Sequence, residues 1–128
     1  MKRIKVNGET RLLLSRWTLE LANRLTAEYD MPRREAFERA HKTRKLLEAL
    51  GVCLVEFCYR KSDGTVRTAH GTLCRGISPE FDSYEYKSPQ PKEKDISAGT
   101  YTYWDLDKRG FRTFKAAELI TFHELKRP

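Results

Sequence analysis

The chain has little cysteine, little histidine and no long apolar run. Its three cysteines, Cys53, Cys58 and Cys74, form no CxxC pair, and an odd number without a signal peptide argues against a disulfide framework. A reducing compartment is expected, with Cys58 and Cys74 acting as small packing residues. No stretch approaches the roughly 20 apolar residues of a membrane span, so a soluble, cytoplasmic protein is expected, with no membrane partner. His41, His70 and His123 are scattered, without HxH or HExxH spacing, and there is neither a Gly-rich phosphate loop nor a GxSxG elbow. No catalytic residue, metal site or cofactor is therefore predicted. Asp105 and Asp107 share a strand face, but with Lys108, Arg109 and Arg112 close by, ion pairing is favoured over cation binding.

What is abundant is positive charge. The net charge is +7 over 128 residues, enough for one ordinary domain with a modest core. Residues 1–51 hold 12 Lys/Arg against 7 Asp/Glu (+5), and residues 52–128 hold 13 against 11 (+2). Such a balance attracts nucleic acid or other polyanions, and equally serves solubility.

Taken in order, Asn7-Gly8 between Ile4 and Thr10 suits a type I′ turn, so a short β-hairpin within residues 1–11 is predicted. Leu14, Trp17, Leu21, Leu25 and Tyr29 then line one side of a helix, with Ser15 as N-cap and Trp17 as a packing anchor. Asp30-Met31-Pro32 starts a second helix, whose apolar face carries Ala36, Phe37, Ala40, Leu47 and Leu50 and which stops at Gly51. Arg34, His41, Lys42 and Lys45 point away from that face as a secondary basic stripe. A helix-turn-helix is disfavoured, because the second helix is long, its turn carries proline and no third helix braces it. Leu12, Leu13 and Leu19 fall off the first stripe and are candidates for exposed apolar contacts.

After Gly51 the period becomes two. Val52–Lys61 and Thr65–Leu73 read as a long hairpin around Ser62-Asp63-Gly64, with Cys53, Val55, Phe57 and Tyr59 on one face and Cys58 on the other. Residues 77–99 read as a long, flexible, proline-bearing loop, with Phe81, Tyr84 and Tyr86 forming either its anchor, the favoured reading, or a base-stacking surface. Tyr101–Phe114 follows as a second hairpin hinged on Lys108-Arg109-Gly110, with Gly110 expected to take the positive φ. Trp104, Leu106 and one or both of Phe111 and Phe114 are assigned to the core. Tyr101, Tyr103, Arg109 and Arg112 are assigned to an accessible surface. Ala116-Ala117-Glu118 reads as a helical turn and Leu119–Leu125 as a closing strand. The fold class is α+β: an N-terminal helical hairpin over residues 1–51, and a small five-stranded SH3- or Sm-like β-barrel over residues 52–128.

The segments LLEALGVCLVEFCYRKSDGTVRTAHGTL and YTYWDLDKRGFRTFKAAEL, separated by a Pro-rich loop, resemble the WYL-like family of small bacterial Sm/SH3-type barrels found in mobile elements and phages. The resemblance spans roughly residues 33–121. A weaker similarity to WYL domains proper rests on Tyr103-Trp104-Asp105-Leu106 and Arg112-Thr113-Phe114. It implies a ligand-sensing module of transcription regulators, some of which are thought to bind single-stranded nucleic acid.

The residues and the resemblance together predict a non-enzymatic regulatory module binding single-stranded nucleic acid or a nucleotide-like ligand. Tyr101 and Tyr103 would stack on bases, while Arg60, Arg67, Arg109 and Arg112 would meet phosphates. The alternative is a protein-interaction module or inhibitor that docks on a host or phage protein, its positive surface meeting an acidic partner.

Overall fold

The computed structural model describes residues 8–83 and 99–127, with side chains from residue 16 onward. Two helices come first, α1 (Gly8–Tyr29) and α2 (Arg33–Leu50). Strands β1 (Leu54–Arg60) and β2 (Val66–Thr72) follow, then a single helical turn α3 (Pro79–Asp82). Strands β3 (Thr100–Asp105) and β4 (Gly110–Lys115), the 3-10 turn Ala116–Glu118 and β5 (Leu119–Lys126) complete the fold.

The start of α1 departs from two expectations. Gly8–Thr10, expected within the second arm of a hairpin, are helical, and Ser15 lies inside the helix instead of capping it. Residues 1–7 lie outside the described residues, as do the side chains of Leu12, Leu13 and Leu14. The buried stripe of α1 runs through Leu21, Ala22 and Leu25, whereas Tyr29 and Leu19 are exposed. Asp30, at φ 52°, ends α1 in the left-handed conformation; it does not cap α2, whose N-cap is Pro32.

On α2 the buried face is Ala36, Ala40, Thr43, Leu46 and Leu50, rotated slightly from the predicted one. Leu46 takes the central place, and Phe37 faces outward under the Arg33 guanidinium, 4.9 Å from its ring centre. Gly51 ends the helix as expected, with ordinary right-handed angles.

The β1–β2 hairpin forms around Asp63-Gly64. The Asp63 carboxylate accepts from the Thr65 N–H and hydroxyl, and Gly64 supplies φ 89°, which an L side chain rarely adopts. The five strands make one antiparallel sheet in the order β4-β3-β2-β1-β5. In a flat sheet β1 and β4 would stand three spacings, about 14 Å, apart. The rings of Phe57 on β1 and Phe114 on β4 instead meet at 5.3 Å, so the sheet curls on itself as a small barrel does. Edge strands β4 and β5 do not pair with each other; the 3-10 turn spans between them.

The inner face of this curl holds Val55, Phe57, Tyr59, Ala69, Tyr101, Tyr103 and Phe114, continuous with Leu21, Leu25, Leu46 and Leu50 of the helices. Each large side chain buried there contributes about 1.5–3 kcal/mol. The Ala69-His70-Gly71-Thr72 stretch has a steric reason: a Cβ at Gly71 would lie 2.6 Å from Tyr103 Cδ2, so only glycine admits that ring. Thr72 Oγ1 reaches the Cys53 carbonyl at 3.0 Å, and the Leu73 N–H donates to the Leu50 carbonyl at 2.8 Å, tying β2 to the end of α2.

Two further corrections concern the loops. Part of the predicted 77–99 loop is α3, capped by Ser78 and anchored by Phe81, which packs on Trp104 and Phe111 at 5.7 and 6.3 Å. Phe81 is therefore the anchor that was expected, while Tyr84 and Tyr86 lie outside the described residues. In the β3–β4 connection it is Arg109 that takes the positive φ, 53°, and Gly110 opens β4 opposite Asp105.

Candidate ligand-binding site

The pleat of β3 places Tyr101, Tyr103 and Asp105 together, as the alternation predicted, but on the inner face of the curl. Tyr103 is fully buried and Tyr101 is 8% exposed. The assignment of these two rings to a base-stacking surface is corrected accordingly, since neither offers a face to solvent. Burial pushes the Tyr101 hydroxyl up to about 12, and drives Tyr103 further in the same direction. Asp105, on the same face, is wholly buried, with Arg67 as its partner.

That partnership organises the floor of the candidate site. Arg67 Nη2 donates to Asp105 Oδ2, the Tyr103 hydroxyl donates to the same oxygen at 3.3 Å, and the Lys108 N–H donates to Oδ1 at 2.9 Å. With the Tyr103 proton so used, the Tyr59 hydroxyl, 2.8 Å away, is the donor in the Tyr59–Tyr103 bond. Burial pushes the Asp105 carboxyl up, but the Lys108 N–H and the Arg67 guanidinium outweigh it and hold the group below its ordinary range.

Above this network lies a cavity of about 630 Å³ between the end of the β1–β2 hairpin and the end of β4. Arg60, Lys61 and Arg67 line it from the hairpin, Arg112 and Lys115 from β4, and Glu118 from the 3-10 turn. Tyr59 and Phe114 also border it, but both are almost entirely buried. Arg60 approaches Glu118 at 3.9 Å and Lys61 approaches Asp63 at 3.9 Å, loose and exposed pairs. Among the described residues, Arg112 and Lys115 have no carboxylate within ion-pairing distance; Arg112 Nη1 donates only to the Phe111 carbonyl, at 2.9 Å. The arrangement can hold an anion by several guanidinium and ammonium donors at once.

The structure thus brings together Arg60, Arg67 and Arg112 of the predicted residues. Arg109 stands apart, 3.6 Å from Glu80 of α3. Lys61 and Lys115 were missed, although each adjoins a residue that was singled out or placed on the barrel face. The expected pairing of Asp105 and Asp107 with Lys108, Arg109 or Arg112 is corrected: Asp105 pairs with Arg67, and Asp107 hydrogen-bonds to His70.

The secondary stripe on α2 divides. Arg34 is almost fully exposed, 3.6 Å from Glu38, and Lys45 is 3.8 Å from Glu48. His41 Nδ1 lies 3.3 Å from an Arg44 nitrogen. Lys42 does not point away: its Nζ donates to the Ile120 carbonyl of β5 at 2.9 Å. Arg39, not singled out from the sequence, donates to the Ala117 carbonyl in the same manner.

The histidines, scattered in the sequence, partly converge on the outer sheet face. His70 lies between Asp107 Oδ2 at 2.8 Å and Glu56 Oε2 at 3.0 Å, and His123 Nε2 lies 3.3 Å from Glu56 Oε1. The Asp107 bond, opposed by burial and aided by Glu56, raises the His70 pKa. Antiparallel register aligns Glu56 with His70 on one side and His123 on the other, a relation that needs the β1–β5 pairing and is invisible in one dimension. Among the described residues no group of His, Cys, Asp or Glu is arranged to hold a metal ion. No described helix is long and apolar enough to cross a membrane. Cys53 is buried, with its thiol directed to the Ala49 carbonyl and its pKa raised by burial.

A curled five-stranded antiparallel sheet whose last two strands are joined by a 3-10 turn, with cations gathered at one end, defines a small barrel of the Sm/SH3 class. Residues 43–120 match the family model WYL_2, described as an Sm-like SH3 beta-barrel fold, and the chain belongs to that family. Neither the curated proteins nor the solved structures contain a match to it.

Proposed function

We propose that the chain is a non-enzymatic regulatory module that binds single-stranded nucleic acid or a nucleotide-like ligand in the basic cavity. One observation carries the reading: Arg60, Arg67 and Arg112, distant in sequence, converge with Lys61 and Lys115 on one concavity. The barrel class is typically non-catalytic, in keeping with a binding role. A bacterial mobile element or phage as its setting rests on the family resemblance alone. With Tyr101 and Tyr103 buried, affinity comes from phosphate contacts and is salt-dependent.

The test is a titration of the chain with a labelled single-stranded oligonucleotide at about 50 and 200 mM salt. Micromolar binding that weakens by about an order of magnitude at the higher salt, and again on Arg112→Ala, supports the reading. Absence of binding at low salt, or binding indifferent to Arg112→Ala, overturns it.

A second reading, a protein-interaction module docking on a host or phage protein, is favoured by a groove of about 530 Å³ between the end of α2 and β5. Ala49, Val52 and Phe122 give it an apolar base, with Lys45, Glu48, Glu124 and Arg127 around it. Affinity capture from a native lysate with and without nuclease separates the two readings. A partner retained after nuclease, and lost on Val52→Asp, supports docking at this groove.

A further inference from the structure

We infer that the cavity recognises a terminal phosphate, borne by the end of a nucleic-acid strand or by a free nucleotide, in preference to an internal stretch of phosphodiester backbone. The inference deepens the reading of this cavity as a ligand site and depends on it.

Three observations point the same way. First, among the described residues the cavity offers charge without stacking faces: Tyr59 and Phe114 at its border are 5% and 2% exposed, so neither ring offers a base a face to lie on. What the site distinguishes must then lie in the phosphate. Second, its cations stand on opposing walls. Arg60, Lys61 and Arg67 belong to one hairpin, and Arg112 and Lys115 to the strand across the opening of the curl. Converging donors surround a compact group, whereas a strand lying along a surface is met by donors strung out along its length.

Third, the charges match. The five cations of the wall, less Glu118 on the wall, Asp105 behind Arg67 and Asp63 beside Lys61, leave +2 (5 − 3). That residual charge complements a terminal phosphate, which carries about −1.5 to −2 at neutral pH. A phosphodiester, with a single negative charge, draws about half the Coulomb attraction from each cation at the same distance. The opening of about 630 Å³ falls within the ordinary range for small-molecule sites and admits a phosphate with its sugar.

The experiment uses the full chain and a matched pair of oligonucleotides of one sequence, with a 5′-phosphate or a 5′-hydroxyl. Inorganic pyrophosphate, a nucleoside triphosphate and the corresponding nucleoside serve as competitors. The phosphorylated strand is expected to bind about tenfold more tightly or better, pyrophosphate and the triphosphate to compete, and the nucleoside to have no effect. Between about pH 7.5 and 5.5 a terminal phosphate loses its second charge (pKa near 6), and the advantage of the phosphorylated strand should shrink. Among the described residues the wall has no histidine and one carboxylate, Glu118, so that loss is read from the ligand. Arg112→Ala, or Lys115→Gln should the first variant fold poorly, should reduce the advantage at least severalfold.

A triphosphate that binds more tightly than the phosphorylated strand assigns the natural source to free nucleotides, and the reverse order assigns it to strand ends. Either supports a terminal-phosphate site. Equal affinity for the phosphorylated and hydroxyl strands overturns this inference while leaving nucleic-acid binding in place. Failure of every ligand at low salt overturns both.

Discussion

Helix α2 and the cavity are both rich in cations, and they differ in what those cations already hold. On α2, Arg34 lies near Glu38, Arg39 holds the Ala117 carbonyl, Lys42 holds the Ile120 carbonyl, and Arg44 and Lys45 approach Glu48. In the cavity, among the described residues, Arg67 alone has a buried partner, and Arg112 and Lys115 have no carboxylate within ion-pairing distance. Net charge says that a basic chain attracts anions; partnering says where an anion can be received. By that criterion α2 is a brace for the sheet, and the cavity is the place the proposal assigns to an anion.

The comparison can be broken most severely at Arg67. Asp105→Asn removes the charge opposite a mostly buried guanidinium, and is expected to cost about 3–5 kcal/mol of stability, measured by denaturant unfolding. An unchanged midpoint would move Arg67 into the group of available cations. The pH dependence has a defined sign. Because the folded-state pKa of Asp105 lies below its ordinary value near 3.9, its stabilisation is present above that value and is lost as pH falls through the lower, folded one. The acid limb of the stability curve should flatten in the variant.

The next effect concerns the unpartnered pair. Arg112→Ala with Lys115→Ala should weaken oligonucleotide binding about 100-fold, or about 2.7 kcal/mol, with stability within about 0.5 kcal/mol of the parent. A large stability loss would show that these side chains support the barrel.

On α2 the prediction reverses. Lys42→Ala should lower stability by about 1 kcal/mol and leave oligonucleotide affinity unchanged, and Arg34→Ala should change neither measurably. Loss of affinity in either variant would restore α2 as a nucleic-acid surface.

The smallest effect is at His70. Its raised pKa means that its stabilisation is complete below the ordinary value near 6.5 and is lost as pH rises through the folded value. A shallow fall in melting temperature above about pH 6.5, absent in His70→Gln, is the expected result.

Much of this architecture could be read from the chain. Asp63-Gly64 between alternating apolar runs located the first hairpin, because few dipeptides tolerate that turn. Pro32 and Gly51 bounded α2 for similarly local reasons. The misreadings have physical causes. Tyr101 and Tyr103 share the pleat with Asp105, a carboxylate that is seldom fully buried, and its burial depends on Arg67, 38 residues away, together with the Tyr103 hydroxyl and the Lys108 N–H. That distant partner is invisible in one dimension, and with it the inward placing of the two rings. The cavity was legible in part: Arg60 and Arg67 flank one turn, but bringing Arg112 across to them requires the curl. Arg109 had the same charge and a nearby position, yet the turn geometry at φ 53° and Glu80 place it elsewhere.

The bonds from Arg39 and Lys42 to the carbonyls of Ala117 and Ile120 have a consequence for the open edge of the sheet. Strand β5 pairs with β1 on one side only, and a bare strand edge is a template for a second chain. Lys42 engages the Ile120 carbonyl at the start of β5 and Arg39 the Ala117 carbonyl in the turn before it, side-chain donors that an incoming strand would have to displace there. Removing those donors, as in Arg39→Ala with Lys42→Ala, should leave the β5 edge more open to a second chain, with the change read as concentration-dependent association.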